Sequence, residues 1–464
     1  MDLERVISAL APADVVRRAP VAVTDLAYDT RAVEPGTLFF CVAGMRADGH
    51  DLAGDAVARG AVALVVERTL DLPVPQLVVP DTRAAMAVVA DEFFGRPTAE
   101  LTVAGVTGTN GKTTTAYVLH SILGAASRRP GLLTNVERLV GERRLPSTLN
   151  TPEAIDLQRL FRSMLDAGCR SCVMEATSHG AALRRLDRVR FRVLVFTNLT
   201  QDHLDFHGTM EAYFQAKRAL FAQAEAAAVN VGDEYGRRLA RELAGRPVLT
   251  FGLEQGADVG PPVLAGIDVR LPGSFNLENV LAAVAAARLL GVDEFAIAAG
   301  VERVHGVPGR FERVDAGQPF TVLVDYAHTP HSLATVLAAA RELADRRVVC
   351  VFGCGGDRDR EKRPLMGRIA SELADVAILT SDNPRGEDPG AIAEDVVAGV
   401  EADALEVVLD RREAIARAVE LATAGDVVLI AGKGHEQGQE VTGRVLPFDD
   451  REVAREALRR ARAA

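Results

Sequence analysis

From about residue 100 onward, short apolar runs end abruptly in glycine or polar residues, and stretches with helical spacing lie between them. The runs at 101–104, 172–174, 193–196, 321–324, 347–352, 376–380 and 427–431 are too short for helices and rich in Val, Leu, Ile and Phe, which reads as buried strands. Residues 83–94, 116–123, 278–290 and 295–304 show the spacing and alanine content of helices. Strands alternating with helices predict an α/β fold whose sheets are mostly parallel. Two breaks punctuate the series, GRPT at 95–98 and GVPG at 306–309. They divide the chain into three expected domains, 1–98, 99–307 and 308–464.

In open parallel sheets ligands bind beyond the carboxyl ends of the strands. The four strands of the third segment run into residues 325–328, 353–360, 381–385 and 432–436, all polar or glycine-rich, so these loops are expected to converge on one site. The central strands behave alike: one leads into Glu175, the other into Thr197, Asn198, Asp202 and His203.

Composition narrows the class. The chain has 464 residues, 48% apolar and 25% charged, as expected of a globular protein with several cores. Its net charge of −11 disfavours nonspecific nucleic-acid binding, which depends on many Lys and Arg neutralising phosphates. No run of about 18 apolar residues suggests a membrane span. The N-terminal stretch lacks the pattern of a signal peptide, so a cytoplasmic location is expected. Five cysteines are an odd number and read as free thiols. Cys169 and Cys172 form CxxC, but no second pair completes a zinc site.

The strongest motif is GVTGTNGKTTT at 105–115, set between a strand and a helix. Gly108, Thr109, Asn110 and Gly111 can bring backbone N–H groups to phosphate oxygens, and the helix N-terminus adds positive potential. Lys112 would reach the β and γ phosphates, and Thr113, followed by Thr114, can hold Mg²⁺. Val106 stands where GxxxxGK followed by Ser or Thr would place its first glycine, so this is a variant loop. ATP is the expected nucleotide. Glu175 and His203, at strand ends, are candidate Mg²⁺ ligands, although Mg²⁺ prefers oxygen and a lone histidine is more often structural.

Taken in order, TGTNGKTT, MEATSH, FTNLTQDHLDFHGTMEAYFQAK, LPGSFNLENVLAA, GVPGRFE, VDYAHTP, FGCGGDRDR and GKGHE resemble the Mur ligases, and within them the MurE branch. The resemblance spans nearly the whole chain and includes YDTRAVEPGTLFFCVAG near the start. It implies an N-terminal α/β uridine-nucleotide-binding domain, a central P-loop ATPase-like domain and a C-terminal Rossmann-like domain that binds an amino acid. The implied chemistry is ATP-dependent: the carboxylate of UDP-MurNAc-L-Ala-D-Glu becomes an acyl phosphate, and the amine of meso-diaminopimelate attacks it. Lys112 would stabilise charge on the transferred phosphoryl group, while Thr113, Glu175 and His203 would hold Mg²⁺.

The same resemblance implies that Lys217 is carbamylated by CO₂, which turns a cation into an anion able to face Mg²⁺. By sequence alone, Lys217 reads equally as a helix-surface lysine. Asn276 and Asn279 would lie near the ATP base, with Arg310 and Asp325 reaching the nucleotide from the third segment. Thr30, Asn150, Thr151, Thr177 and Arg185 would contact the muramoyl dipeptide.

DNPR, formed by Asp382, Asn383, Pro384 and Arg385, resembles the signature of diaminopimelate-adding members. An arginine can grip the distal carboxylate of diaminopimelate bidentately and would repel the ammonium of lysine. Arg358 would assist, and Gly432 and Glu436 would bind the distal amino acid centre. A plain Asn-Pro turn is the alternative for this tetrapeptide.

Departures from the family pattern touch the acceptor side. Thr30, Asn150 and Thr177 replace more usual residues, Leu183 cannot hydrogen bond, and the stretch 251–272 is short. Three functional readings follow: a monomeric diaminopimelate-adding ligase, a related ligase with another acceptor such as L-lysine-adding or folylpolyglutamate-forming enzymes, and a nucleotide-binding protein without turnover.

Overall fold

A computed structural model describes residues 1–44, 47–147, 149–401 and 404–463. The chain divides into two compact units. The first comprises Met1–Thr107, Ser127–Leu194 and Ala216–Ala227; the second comprises Gly108–Ala126, Val195–Gln215 and Ala228–Ala464. Among the described residues no helix is long and apolar enough to cross a membrane.

The first unit begins with a five-stranded sheet in which Asp25–Ala27, Thr37–Phe40, Ala61–Val66 and Gln76–Val78 run parallel and Asp14–Val16 pairs antiparallel at the edge. Helix Thr82–Phe93 covers one face. Asp81 accepts from the N–H groups of Arg83 and Ala84 and so caps its start. The apolar run 101–104 becomes the first part of strand Thr102–Thr107, which continues through Gly105 and Val106. Gly105 therefore belongs to the strand and not to the loop. A Cβ there would lie 2.7 Å from Leu194 and from Phe191, so glycine lets these side chains close over the sheet. Ser171–Glu175 runs parallel to Thr102–Thr107 on one side and to Pro130–Leu133 on the other. The hairpin Glu137–Val140 and Arg143–Pro146 extends the edge.

In the second unit the phosphate-loop helix is Lys112–Ala125, four residues longer at its start than the apolar pattern 116–123 suggests. Threonines at its first turn are polar by composition yet buried here, which hides the helix start from a hydrophobicity reading. Helices Ser274–Leu289 and Glu294–Glu302 pack against it, and alanines on Ser274–Leu289 permit close approach. Residues 252–273 contain one short 3₁₀ turn, Pro261–Leu264, and no strand.

The C-terminal part is a six-stranded sheet. Thr321–Asp325, Val427–Ala431, Val348–Phe352, Val376–Leu379 and Glu406–Val407 lie side by side in that order and run parallel, with Glu312–Arg313 antiparallel at one edge. Both faces are covered, by Pro330–Leu343, Lys362–Leu373 and Pro389–Val397 on one side and by Arg411–Leu421 and Asp450–Ala463 on the other. Strands buried on both faces explain why their sequences are continuous apolar runs and not alternating ones. All five cysteines are buried and free. Burial pushes the thiols of Cys41, Cys350 and Cys354 up to about 12, which makes them poor nucleophiles.

Candidate active site

The glycine loop is now four residues long, Gly108 to Gly111, between strand and helix. Gly111 caps the helix with φ +83°, and a Cβ there would meet the Asn279 Oδ1 at 2.2 Å. Both the left-handed backbone and the close approach demand glycine. Asn279 is itself fixed, since its Nδ2 donates to the Asn276 Oδ1 at 3.1 Å and Asn276 donates to the Pro272 carbonyl at 2.7 Å. These two asparagines, expected near the ATP base, thus form a brace behind the loop.

Residues 197–200 brace it from the other direction. Thr197 donates to the Asn110 carbonyl at 2.6 Å, and the Asn110 N–H donates to Asn198 Oδ1 at 2.9 Å. Thr109 bonds Tyr213 through the two hydroxyls at 3.1 Å. The conspicuous string from Phe196 onward therefore holds the phosphate loop in shape. Lys112 Nζ donates to the carbonyls of Gly108 at 3.0 Å and Thr109 at 2.7 Å, which pins the ammonium over the loop. Thr113 and Thr114 are buried in the first helical turn.

Arg310 arrives at the same turn, its Nη2 donating to the Thr113 hydroxyl at 3.1 Å while its guanidinium lies 4.4 Å from the Tyr326 ring centroid. Asp325 ends the neighbouring strand and accepts the N–H groups of Phe311 and Ala327, each at 2.7 Å. Burial pushes its carboxyl up to about 6 against the opposing pull of Arg310 and these two bonds. His203, partly exposed, lies 3.5 Å from Asp202. Burial works to raise the Asp202 carboxyl, but His203, His328 and Lys362 outweigh it and hold it below the ordinary carboxylate range.

Loops after the C-terminal strands do meet. Gly432 N–H donates to the Asp325 carbonyl at 3.0 Å, Gly356 N–H to the Asn383 carbonyl at 2.9 Å, and Asn383 Nδ2 to Glu436 Oε2 at 2.8 Å. Asp382 is buried, with its carbonyl taking Gln439 Nε2 at 2.8 Å. Arg385 follows Pro384 with φ +53°; its Nη1 donates to the Gly356 carbonyl at 2.7 Å and its Nε lies 3.3 Å from Glu440. Arg358 is exposed and donates to the carbonyl of its neighbour Asp357 at 3.4 Å. Lys433, fully buried between Asn383 and Glu436, lies within GKGHE but has no role of its own in the sequence reading, because a lone lysine between glycines carries no spacing signal.

The first unit holds the remaining candidates. Glu175 is buried at the end of its strand and accepts the Asn135 N–H at 3.3 Å. Thr151 donates to the Glu175 carbonyl at 3.1 Å and lies 2.9 Å from the Thr177 hydroxyl, and Thr177 caps helix Ser178–Ala182. Arg185 Nη2 pairs with Glu153 at 2.8 Å and its Nη1 donates to the Thr151 carbonyl at 3.2 Å. Arg83 takes the other Glu153 oxygen at 3.1 Å, a partner that sequence spacing could not show. Thr30 opens a 3₁₀ turn, Asn150 is exposed, and Leu183 ends the helix that Thr177 begins. Lys217 is fully buried, against the alternative of a helix-surface lysine.

Residues 106–287 match the Mur ligase middle domain, 309–434 the Mur ligase glutamate ligase domain, and 22–94 the Mur ligase catalytic domain. Over 100% of both chains it is 46% identical to a UDP-N-acetylmuramoyl-L-alanyl-D-glutamate--2,6-diaminopimelate ligase of Geobacillus thermodenitrificans. The chain belongs to the Mur ligase family. The enzyme of the same name from Geobacillus kaustophilus is 47% identical over 94% of each chain. A solved structure of a diaminopimelate ligase of that name is 32% identical, covers 100% of this chain and 99% of its own, and superposes with a TM-score of 0.69. A folylpolyglutamate synthase of Mycobacterium tuberculosis shares the fold, with 20% identity, a TM-score of 0.60 and coverage of 75% of this chain and 92% of its own. The mixed α/β, three-domain Mur ligase architecture with mostly parallel sheets accords with the expected fold class.

Proposed function

We propose that this protein is an ATP-dependent ligase that joins meso-diaminopimelate to UDP-MurNAc-L-Ala-D-Glu in peptidoglycan precursor synthesis. The observation that carries the reading is full-length identity of 46% to a ligase of that name, in a chain where Arg385 lies beside Asn383 and Asn383 in turn bonds Glu436. Its domains are assigned as 1–98 for the uridine nucleotide, 99–307 for ATP and 308–464 for the amino acid.

In the proposed reaction, ATP lies along Gly108–Thr114, where backbone N–H groups and Lys112 balance the phosphate charge. The terminal phosphoryl group passes to the peptide carboxylate, ADP leaves, and the acyl phosphate forms. The amine of diaminopimelate then attacks the acyl carbon, and the tetrahedral intermediate collapses to amide and phosphate. Lys112 and Arg310 stabilise charge during transfer, while Asn279 and Asp325 support the nucleotide.

Mg²⁺, when bound, supplies charge neutralisation and Lewis acidity at the phosphates. The Thr113 hydroxyl and Glu175 carboxylate offer the oxygen donors it prefers, with His203 a softer addition. Among the described residues no three His, Cys, Asp or Glu side chains cluster as a ready-made metal site. Lys217 is assigned as a carbamate: an anion at that buried position would suit a cation better than an ammonium does.

Thr30, Asn150, Thr151, Thr177 and Arg185 are assigned to the muramoyl dipeptide, and Arg358, Asp382, Asn383, Pro384, Arg385, Gly432 and Glu436 to diaminopimelate. The enzyme acts as a cytoplasmic monomer in this reading, with no nucleic-acid or membrane partner. Release of phosphate from ATP should require both the muramoyl dipeptide and meso-diaminopimelate. Equal turnover with L-lysine would reject the amino acid assignment, turnover with folate and glutamate alone would favour the folylpolyglutamate alternative, and ATP binding without any turnover would reject the ligase.

A further inference from the structure

Lys433 is fully buried, and an ammonium is costly to bury unless strong acceptors surround it. Its Nζ donates to Asn383 Oδ1 at 2.8 Å and to Glu436 Oε2 at 3.0 Å. Asn383 Oδ1 also accepts the Glu440 N–H at 3.0 Å, so the amide oxygen has two donors. That leaves the amide NH₂ to point at Glu436 Oε2, at 2.8 Å. Rotating the amide by half a turn would set its NH₂ against the ammonium and its oxygen against the carboxylate. Lys433 thereby fixes which end of Asn383 faces Glu436.

Glu436 is oriented by the same contact. Lys433 and Asn383 both use Oε2, and no described hydrogen bond engages Oε1, while about a third of the side chain stays exposed. Gly432 and Gly434 on either side hold the loop to its neighbours: Gly432 through the Asp325 carbonyl, Gly434 by close approach to Gly309 and Tyr326.

We propose that Lys433 is a positioning residue for the incoming amino acid: it locks the Asn383 amide and turns Glu436 so that Oε1 meets an ammonium group of the substrate. The inference rests on the proposed assignment of Asn383 and Glu436 to the amino acid site.

The test is steady-state kinetics of the full chain with ATP, muramoyl dipeptide and diaminopimelate varied in turn, for wild type, K433M, E436Q and the double variant, alongside thermal unfolding. K433M should raise KM for diaminopimelate roughly ten- to hundredfold, the worth of a hydrogen bond to a charged group. Its KM values for ATP and for muramoyl dipeptide should stay within about twofold. The double variant should be no worse than E436Q, because both changes disable one device.

Equal losses for all three substrates, a lowered melting temperature with unchanged kinetics, or additive effects would each overturn the proposal. An unchanged diaminopimelate KM in E436Q would reject the amino acid assignment itself, whereas a raised KM in E436Q with none in K433M rejects only the role of Lys433. Should K433M not fold, K433Q is scored in the same way. Failure of both to fold makes Lys433 a structural residue and overturns the proposal.

Discussion

Arg310 donates to the Thr113 hydroxyl at 3.1 Å across 197 positions of sequence. The bond ties the strand-rich C-terminal part to the first turn of the phosphate-loop helix, where an anion would be held. Arg310→Ala should therefore raise KM for ATP and lower kcat together, by roughly ten- to hundredfold in kcat/KM as expected for loss of a charged hydrogen-bond donor. Arg310→Lys should recover only part, because a point charge lacks the planar fork and its stacking on Tyr326. A variant with unchanged ATP kinetics would place Arg310 outside the nucleotide site.

Asp325 supplies a pH test. Burial raises its carboxyl from 3.8 to about 6, so over that interval the folded protein binds more protons than the unfolded chain. Its contribution to stability falls as pH rises from the ordinary carboxylate range to about 6, and is constant above it. Activity should move oppositely, since only the ionised form attracts Arg310. We expect kcat/KM for ATP to show a one-proton fall below about pH 6, and Asp325→Asn to show a low, flat profile there. Persistence of that limb in the asparagine variant would assign it to another group.

Gly111 tests the loop. An alanine would sit at φ +83° and 2.2 Å from Asn279 Oδ1, a strained backbone worth about 1–3 kcal/mol plus a steric clash. Gly111→Ala should abolish measurable ATP binding by calorimetry. Adding Asn279→Ala should relieve the clash but not the strain, so any recovery stays partial. Normal ATP binding by Gly111→Ala would show that nucleotide lies elsewhere.

These elements differ in how legible they were. The strand Val427–Ala431 stands in the sequence as it does in the fold, because a strand buried on both faces must be apolar throughout. Convergence of the loops after 325, 353, 381 and 432 was equally readable, since parallel topology alone puts strand ends together. The start of helix Lys112–Ala125 was not, because four polar residues, Lys112 to Thr115, form its first turn. Nor were Lys433 and Arg83, whose partners Asn383 and Glu153 are 50 and 70 positions away. Such contacts depend on tertiary folding and leave no period in the chain.

In the proposed function Arg385 is the residue assigned to select the amino acid. Its guanidinium is anchored by the Gly356 carbonyl and faces Glu440 at 3.3 Å, with about a fifth of the side chain exposed. Arg385→Ala should cut kcat/KM for diaminopimelate by about a hundredfold or more, the scale of a lost bidentate carboxylate contact. Activity with L-lysine should change far less, because no distal carboxylate is present to lose. Parallel losses with both amino acids would make Arg385 a loop support.

Arg411 and Asp450 form an ion pair with both side chains fully buried, at 2.7 Å, and Arg411 also donates to the Ala431 carbonyl at 3.0 Å. Burial alone would lower the Arg411 guanidinium, but Asp450 beside it outweighs that and raises it. Because Ala431 immediately precedes Gly432 and Lys433, this pair anchors the strand end from which the candidate amino acid loop departs. Removing one partner leaves the other charge buried without compensation. Asp450→Ala should cost about 3–5 kcal/mol in urea-induced unfolding, whereas Arg411→Met with Asp450→Leu, which removes both charges, should cost distinctly less. Equal destabilisation by the single and double variants would mean that packing volume, and not charge, is what the pair contributes.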